Sequence, residues 1–246
     1  MNLQDIYQRY KNPELVLVYQ FGKVGSTTLA DSIPGAVNVH DLFGNPLCPC
    51  GFKYRNSFSY RHLRFPIDRL MRRTLIRRRK NTDIIVPLRA PWERNISLFF
   101  QDFPFWYVNF FATRKTTQKV EGLELIQRVF LESFDHDGPE NWFNGEFTRL
   151  TGITLNDINF DKTAGHTIVQ RAPYRCLLLT TAHMRSEQGI ETIEKFVGRP
   201  VKLDDKNRGD LKWYGPVYKE FLSDTKFIGE YKERLYATPV QKTFFE

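Results

Sequence analysis

The sequence predicts an α/β fold with a central, mainly parallel β-sheet. Short apolar runs of strand length alternate along the chain with longer segments that carry apolar residues at helical spacing. Hydrophobic residues make up 41% of the 246 residues, which is enough to build a sizeable buried core. No internal repeat or low-complexity tract divides the chain, so we expect residues 1–246 to form a single domain.

Four segments have the composition of buried strands. Each is a compact run rich in Val, Ile or Leu and leads into a turn or a predicted helix. The first run continues directly into a glycine-containing turn, and the order of strand, turn and helix recurs after the third run. The predicted strands are Glu14–Gln20, Ala36–His40, Asp83–Arg89 and Tyr174–Thr181.

Helices are predicted in the intervals between these strands. Pro91 lies in the first turn of one helix, where its missing N–H is not needed, and Gly198 follows the end of another. A short amphipathic helix opens the chain, and Gly215–Tyr236 has the pattern of two further helices. The other predicted helices are Pro66–Arg79, Pro91–Asp102, Gly122–Asp135 and Glu187–Val197.

The chain is basic. Lys and Arg outnumber Asp and Glu by 36 to 28, and the formal net charge of +8 favours anionic partners such as nucleic acid, nucleotide phosphates or an acidic polymer. No apolar run approaches the roughly 18 residues of a membrane span, and the N-terminal sequence lacks the pattern of a signal peptide. We therefore expect a cytoplasmic protein without a membrane span.

The three cysteines are too few for a disulfide framework. Cys48 and Cys50 form one pair at ligand spacing, without the second pair that a structural zinc site needs. Turn or packing roles are favoured for these cysteines and for Cys176, so we predict no metal site.

The turn after the first predicted strand has the composition of a phosphate-binding loop. Its backbone N–H groups, two hydroxyl groups and one ammonium group can converge on a phosphate at the start of the following helix. A Walker A loop places its lysine directly after the second glycine, whereas Lys23 lies two residues before Gly25, so nucleoside triphosphate hydrolysis is disfavoured. An ordinary turn capped by Ser26 or Thr27 is the alternative. The residues of this loop are Phe21, Gly22, Lys23, Val24, Gly25, Ser26, Thr27 and Thr28.

A second anion-binding pattern follows the third predicted strand. Arg89 ends this strand, and Ser97 lies two helical turns along the helix that begins at Pro91. Ligands of open α/β sheets bind beyond the carboxyl ends of the strands, so Arg89 and Ser97 can meet over one anion there.

These two segments resemble the signature sequences of sulfotransferases that use 3′-phosphoadenosine 5′-phosphosulfate (PAPS). Residues 23–27 are similar to their K-x-G-[ST]-[ST] phosphosulfate loop, and residues 89–97 to their R-x-P-x-x-R-x-x-S signature for the 3′-phosphate. The resemblance implies a three-layer sandwich with the P-loop-like sulfotransferase fold. It also implies transfer of a sulfuryl group to an acceptor hydroxyl, with 3′-phosphoadenosine 5′-phosphate (PAP) as the product and no metal required.

Further segments resemble the same group of enzymes. Tyr60-Arg61-His62-Leu63 is similar to a Lys-Thr-His-Leu segment of cytosolic sulfotransferases, with the histidine matched. Residues 208–214 resemble both an R-K-G…G-D-W-K segment that closes over the cofactor and an Asn-Lys-Trp-Tyr-Ser signature of bacterial capsular polysaccharide synthesis proteins. The middle region of those bacterial proteins is similar to Trp142-Phe143, Glu146, Phe160-Asp161-Lys162 and Gly165, whereas Thr180 and Ala182 depart from it.

The resemblance implies a role for each matched residue. Lys23 stabilises the bridging oxygen of the leaving diphosphate, and His62 is the base that takes the acceptor proton. His40 is not matched by the resemblance; it ends the second predicted strand beside Asp41 and is either a catalytic or acceptor-positioning group or a core or edge histidine. The expected PAPS-binding residues are Lys23, Val24, Gly25, Ser26, Thr27, Thr28, Arg89, Ser97, Arg208, Gly209 and Lys212.

Other basic and aromatic residues are less specific. The aromatic run Phe99–Phe111, interrupted by Pro104, is predicted as a helix end plus an aromatic loop, which forms either an acceptor wall or core. His136, His166 and His183 are predicted to be structural. A group of arginines recurs at helical spacing and forms either a cationic stripe for a carboxylated or sulfated glycan or a solvated helix face. This group consists of Arg69, Arg72, Arg73 and Arg77.

The leading function is therefore PAPS-dependent sulfation of a hydroxyl group on a carbohydrate. The charge, the arginine-rich helix and the aromatic run also fit a nucleic-acid-binding protein, but two paired anion motifs at strand ends argue against a nucleic-acid partner. An atypical nucleotide or small-molecule kinase is the third alternative, and it lacks a clear acidic residue for magnesium after a strand.

Overall fold

The described chain forms an α/β fold with a mostly parallel sheet, as the sequence predicts. This computed structural model describes residues 3–44, 65–113, 121–203 and 212–246. The strands are β1 (Val16–Tyr19), β2 (Ala36–Val39), β3 (Thr82–Leu88), β4 (His166–Arg171) and β5 (Tyr174–Thr180). They lie in the order β2-β1-β3-β5-β4; the first four run parallel, and β4 pairs antiparallel with β5.

Sequence reasoning missed β4. This strand lies at the edge of the sheet, so it mixes polar and apolar residues and has no buried run. Ile168, near its centre, is 53% exposed. Without the compact apolar composition of an interior strand, the segment lacks the signal on which the other four predictions depend.

α-Helices occupy the connections between the strands and the C-terminal part of the chain. The predicted helices are present with ends shifted by a few residues, whereas the shortest helices were not predicted. None of the helices in the described ranges is both long and apolar enough to cross a membrane. The helices are α1 (Leu3–Lys11), α2 (Ser26–Ser32), α3 (Phe65–Arg77), α4 (Pro91–Gln101), α5 (Phe103–Thr113), α6 (Gly122–Ser133), α7 (Gly138–Trp142), α8 (Thr148–Thr151), α9 (Thr181–Met184), α10 (Glu187–Val197), α11 (Gly215–Ser223), α12 (Thr225–Tyr236) and α13 (Pro239–Phe244).

The prediction of an aromatic loop before residue 111 was wrong. α4 ends at Gln101, and α5 begins at Phe103 with Pro104 in its first turn. Proline is tolerated there because the first N–H groups of a helix have no partner within the helix. Trp106 and Phe110 of α5 pack into an apolar cluster, so part of the run is core.

Helices cover both faces of the sheet. Successive strand residues point to opposite faces. Leu17 and Val86 therefore pack with α1, α3 and a π-helical turn at Phe143–Phe147, while Val18 and Leu177 pack with α2, α9 and α10. A third apolar cluster joins α4, α5, α6, α11 and α12. This arrangement is compatible with a three-layer sandwich.

The strand order creates a crevice at the carboxyl edge of the sheet. β2 and β3 lie on opposite sides of β1, so the connections that leave β1 and β3 diverge. Ligands of open α/β sheets bind where the strand order reverses in this way. The loop after β1 and the start of α4 therefore flank the expected ligand position.

A buried carboxylate fixes the loop that follows β2. Glu146, in the π-helical turn, accepts a hydrogen bond from Tyr19 Oη at 2.6 Å. It also accepts from the backbone N–H groups of Leu42 at 2.6 Å, Phe43 at 3.0 Å and Gly44 at 3.2 Å. Burial and the neighbouring Glu146 carboxylate raise the pKa of Tyr19 well above its usual value.

We expect Glu146→Ala to destabilise the protein by about 3–5 kcal/mol, because it leaves a buried hydroxyl and three loop N–H groups without their acceptor. Equilibrium unfolding in urea measures the change. The control is Glu191→Ala, which removes an exposed carboxylate paired with Lys195 in the next turn of α10, and which should cost less than about 0.5 kcal/mol. Equal losses in the two variants would show that Glu146 does not hold the loop.

Candidate anion-binding site

The loop between β1 and α2 has an unusual backbone. Gly22 and Gly25 adopt φ angles of 84° and 72°, in the left-handed region that glycine tolerates. Lys23 adopts a φ of 64° and is the only non-glycine residue with positive φ in the described part of the chain. A side chain in this region costs of order 1 kcal/mol or more, and such strain is concentrated at functional sites.

Gln20 connects this loop to β2. Its side-chain carbonyl accepts a hydrogen bond from Gly22 N–H, and its amide nitrogen donates to Asn38 Oδ1 at 3.1 Å. The amide nitrogen of Gln20 also lies 2.9 Å from each ring nitrogen of His40. Asn38 in turn donates from Nδ2 to Ser26 Oγ at 3.3 Å, which links β2 to the start of α2. Sequence reasoning missed Gln20. The available signal was a polar residue, here fully buried, at the end of an apolar strand.

Lys23 is held in a partly buried position at the crevice. Its Nζ donates a hydrogen bond to Gln101 Oε1, the last residue of α4, at 2.9 Å. Burial, and then the charges of Lys212 and Arg89, lower the pKa of Lys23 to about 8, with Asp102 acting in the opposite direction. The charges of Lys212 and Arg89 therefore lie close enough to the Lys23 ammonium to destabilise it.

Arg89 joins the loop to the start of α4. Its Nη1 donates to the backbone carbonyl of Lys23 at 3.2 Å, and its Nε forms an ion pair with Glu93 at 3.0 Å. Ser97 is half-buried further along α4, and no hydrogen bond joins it to Arg89, both residues lying in the described part of the chain. The structure therefore brings Arg89 to Lys23 and leaves a shared role with Ser97 as a prediction.

Lys212 lies next to a tyrosine that packs against α4. Its ammonium lies 5.9 Å from the ring centroid of Tyr214, and the Tyr214 ring packs against Phe100 with a centroid separation of 5.9 Å. Phe100 directly precedes Gln101 on α4, so the Tyr214 contact brings Lys212 toward the Lys23 loop. The other two residues that the resemblance assigns to PAPS binding near Lys212, Arg208 and Gly209, lie outside the described residues.

Arg94 holds the start of the Lys23 loop from the protein interior. Its guanidinium is fully buried and donates from Nη2 to the carbonyl of Phe21 at 2.7 Å and from Nη1 to Asn95 Oδ1 at 2.9 Å. Burial lowers the pKa of Arg94 to about 10. A Cβ at Gly138 would lie 2.8 Å from Arg94 Nη1, so only glycine leaves the room that this guanidinium occupies. Sequence reasoning quoted this arginine within a motif but gave it no role.

The remaining predicted loop residues differ in what they offer a ligand. The side chain of Val24 is buried in the core, so only its backbone is available. Ser26 is also buried, Thr28 is half-buried and Thr27 is exposed. His62 and its neighbours Tyr60, Arg61 and Leu63 lie outside the described residues, as do Cys48 and Cys50.

The other three histidines in the described ranges contact residues outside the Lys23 loop. His136 Nδ1 lies 2.9 Å from Tyr231 Oη, and burial lowers the pKa of this imidazole. The rings of His166 and His183 stack with centroids 4.8 Å apart. Burial and the neighbouring His166 lower the pKa of His183.

Comparisons of the chain with protein families, with curated proteins and with solved structures found no match. Any functional conclusion therefore depends on the arrangement of the residues described above. That arrangement is a strained loop, one partly buried ammonium and two further cations at the crevice between β1 and β3.

We expect PAP to bind less tightly as the pH rises through about 8. An anion favours the protonated form of Lys23, and above its pKa of about 8 the unliganded protein has lost that charge, so affinity falls by up to about tenfold per pH unit. Titration calorimetry between pH 6.5 and 10 measures this dependence.

Two variants of the same residue serve as controls for the pH dependence. Lys23→Arg keeps its charge throughout this range and should bind PAP with an affinity that is nearly constant with pH. Lys23→Met should bind weakly at every pH. If PAP affinity fell with pH to the same extent in the wild type and in Lys23→Met, a group other than Lys23 would be responsible for the pH dependence.

Proposed function

We propose that this chain transfers the sulfuryl group of PAPS to a hydroxyl group of a carbohydrate acceptor. The observation that carries the proposal is the hydrogen bond from Arg89 Nη1 to the backbone carbonyl of Lys23, which joins the ends of β1 and β3, with the charge of Lys212 also acting on the Lys23 ammonium. These cations come from three separate segments of the chain. They are the three segments whose sequences resemble PAPS-binding signatures, so the geometry and the resemblance support the same ligand class.

The charges at the crevice fit a polyanionic ligand. The pKa of Lys23 is lowered because its ammonium is partly desolvated and has two cations nearby, and a bound anion relieves both effects. Gln101 neutralises no charge, Glu93 pairs with Arg89, and Asp102 offsets only part of the effect of burial and neighbouring cations on Lys23.

The finer fold is part of the same proposal. We infer that the chain has the three-layer, P-loop-like fold of sulfotransferases. The parallel strands, the helices on both faces and the strand-loop-helix unit at β1 and α2 support this inference.

Lys23 is suited to stabilising a leaving group. PAPS supplies a sulfuryl group whose transfer leaves negative charge on the oxygen that bridges sulfur and phosphorus. A partly desolvated ammonium interacts with such charge more strongly than one in water. Gln101 and the Arg94-supported backbone hold the lysine in place, so little reorganisation is needed when the charge develops.

His40 is the candidate base among the described residues. The residue is exposed at the carboxyl edge of the sheet, and Gln20 Nε2 lies 2.9 Å from each of its ring nitrogens. Its backbone carbonyl accepts a hydrogen bond from Trp142 Nε1 at 2.9 Å, which fixes the residue against the core. His62, the base implied by the resemblance, stays a candidate that only experiment can compare with His40.

The first test is whether the protein recognises the donor. PAP should raise the melting temperature by several degrees without magnesium, because a ligand that binds only the native state stabilises it. Lys23→Ala and Arg89→Ala should each reduce this shift. Mg-ATP and single-stranded DNA are the comparison ligands. A shift with Mg-ATP and none with PAP would favour the kinase alternative, and a shift with DNA alone would favour nucleic-acid binding.

The second test is transfer itself. With radiolabelled PAPS and a panel of neutral and acidic oligosaccharides, Lys23→Ala should lower turnover by roughly 10²-fold or more, with a smaller effect on PAPS affinity. Replacement of the base should leave PAP binding intact and abolish turnover, so His40→Ala and His62→Ala are compared. His183→Ala, at the same edge of the sheet, is the matched control. Full turnover in Lys23→Ala would refute the assigned mechanism.

A further inference from the structure

Three arginines surround one aromatic ring on the loop after β2. The guanidinium carbons of Arg73 and Arg77, on α3, lie 5.2 Å and 5.7 Å from the ring centroid of Phe43. That of Arg149, on α8, lies 4.6 Å from the same centroid. Arg77 and Arg149 are exposed, and Arg73 is half-buried. Two separate helices therefore direct their cations to one place on the surface, which we call the Phe43 cluster.

The charge of the Phe43 cluster is not neutralised. Within residues 3–44, 65–113, 121–203 and 212–246, no carboxylate pairs with Arg73, Arg77 or Arg149. By contrast, Arg69 on the same helix forms an ion pair with Asp41 at 2.6 Å. The three unpaired charges lie within one Debye length, about 8 Å, of the ring, so each raises the free energy of the others.

The loop that carries Phe43 leaves the carboxyl edge of the sheet, where the candidate site lies, and the cluster extends from this loop to Arg77, the last residue of α3. Phe43 follows His40 by three residues, and Glu146 binds its backbone N–H at 3.0 Å. Glu146 also binds Tyr19 at the end of β1, immediately before the residues that lead to Lys23. The same buried carboxylate therefore sets the positions of the Phe43 cluster and of the β1 end.

We propose that the Phe43 cluster binds an acidic polysaccharide, carboxylated or already sulfated, and holds it as the acceptor. Guanidinium groups form paired hydrogen bonds with carboxylates and sulfates, and several convergent ones match a chain that carries a charge on successive sugars. The role as acceptor rests on the proposed function, whereas the binding of an acidic glycan does not.

The geometry favours a glycan over single-stranded nucleic acid. Proteins that bind single strands offer open aromatic faces on which bases stack. The ring of Phe43 is half-buried against the core, and guanidinium groups occupy its surroundings. The cluster therefore offers charge without a stacking platform.

Fluorescence anisotropy with labelled oligosaccharides tests the proposal. A heparin hexasaccharide and a hyaluronan hexasaccharide, which carries carboxylates only, should bind, and neutral maltohexaose should not. Alanine at Arg73, Arg77 or Arg149 should weaken heparin binding by about tenfold each, the effect typical of losing a charge-assisted hydrogen bond. Lysine at these positions keeps the charge and should recover only part of the affinity. Thermal unfolding checks that each variant is folded.

The matched control is Arg78→Ala. Arg78 is exposed and adjacent to Arg77, and no cation–ring contact joins it to Phe43, both residues being described. Its loss removes the same charge but should change heparin affinity less than twofold. An equal loss in Arg78→Ala and Arg77→Ala would overturn the proposal in favour of non-specific charge. Tighter binding of a DNA hexanucleotide than of heparin, lost in the same variants, would overturn it in favour of nucleic acid.

The donor site separates this proposal from the proposed function. PAP should stabilise the cluster variants as it stabilises the wild type, because the cluster does not include Lys23, Arg89 or Lys212. If PAP stabilises the wild type but neither acidic glycan binds at low salt, the cluster proposal fails and the donor assignment stands. If heparin binds as expected and PAP does not, the proposed function fails and the glycan site stands.

Discussion

The β2 side of the molecule depends on the hydrogen bonds of one buried carboxylate. A charge removed from water must be saturated with hydrogen bonds, and the groups that supply them become fixed in turn. Glu146 receives those bonds from Tyr19 and from residues about a hundred positions away in sequence, at the loop after β2. Arg94 has the corresponding role with the opposite charge, since its buried guanidinium is bonded to the carbonyl of Phe21. Both loops at the crevice are therefore anchored from the interior.

This anchoring allows the crevice to hold two unfavourable features. Lys23 has a strained backbone, and its ammonium is close to the charges of two other cations. Each feature raises the free energy of the unliganded protein, and neither would persist in a loop that could relax. An anion lowers the electrostatic part of this cost, and charges held in place before a ligand binds are what electrostatic preorganisation requires.

Local sequence patterns predicted the structural features that depend on residues close together in the chain. The apolar run of β1, the glycines of the following turn and the arginine at the end of β3 were visible because each acts through its neighbours in the chain. Contacts between distant segments were not visible. Gln101 binds Lys23 across 78 positions, and Gln20 reads in the sequence as an ordinary polar residue although it connects His40 to the loop. The edge strand β4 was missed for a different reason, since an edge position does not require an apolar run.

The left-handed backbone at Lys23 sets a limit for protein engineering. Glycine adopts a φ of 64° without the steric cost that a side chain incurs, so a search that ranks substitutions by folding free energy alone will select glycine at this position. The same exchange deletes the ammonium that faces the crevice. Libraries aimed at thermal tolerance should therefore hold residue 23 constant and draw their gains from positions remote from the carboxyl edge of the sheet.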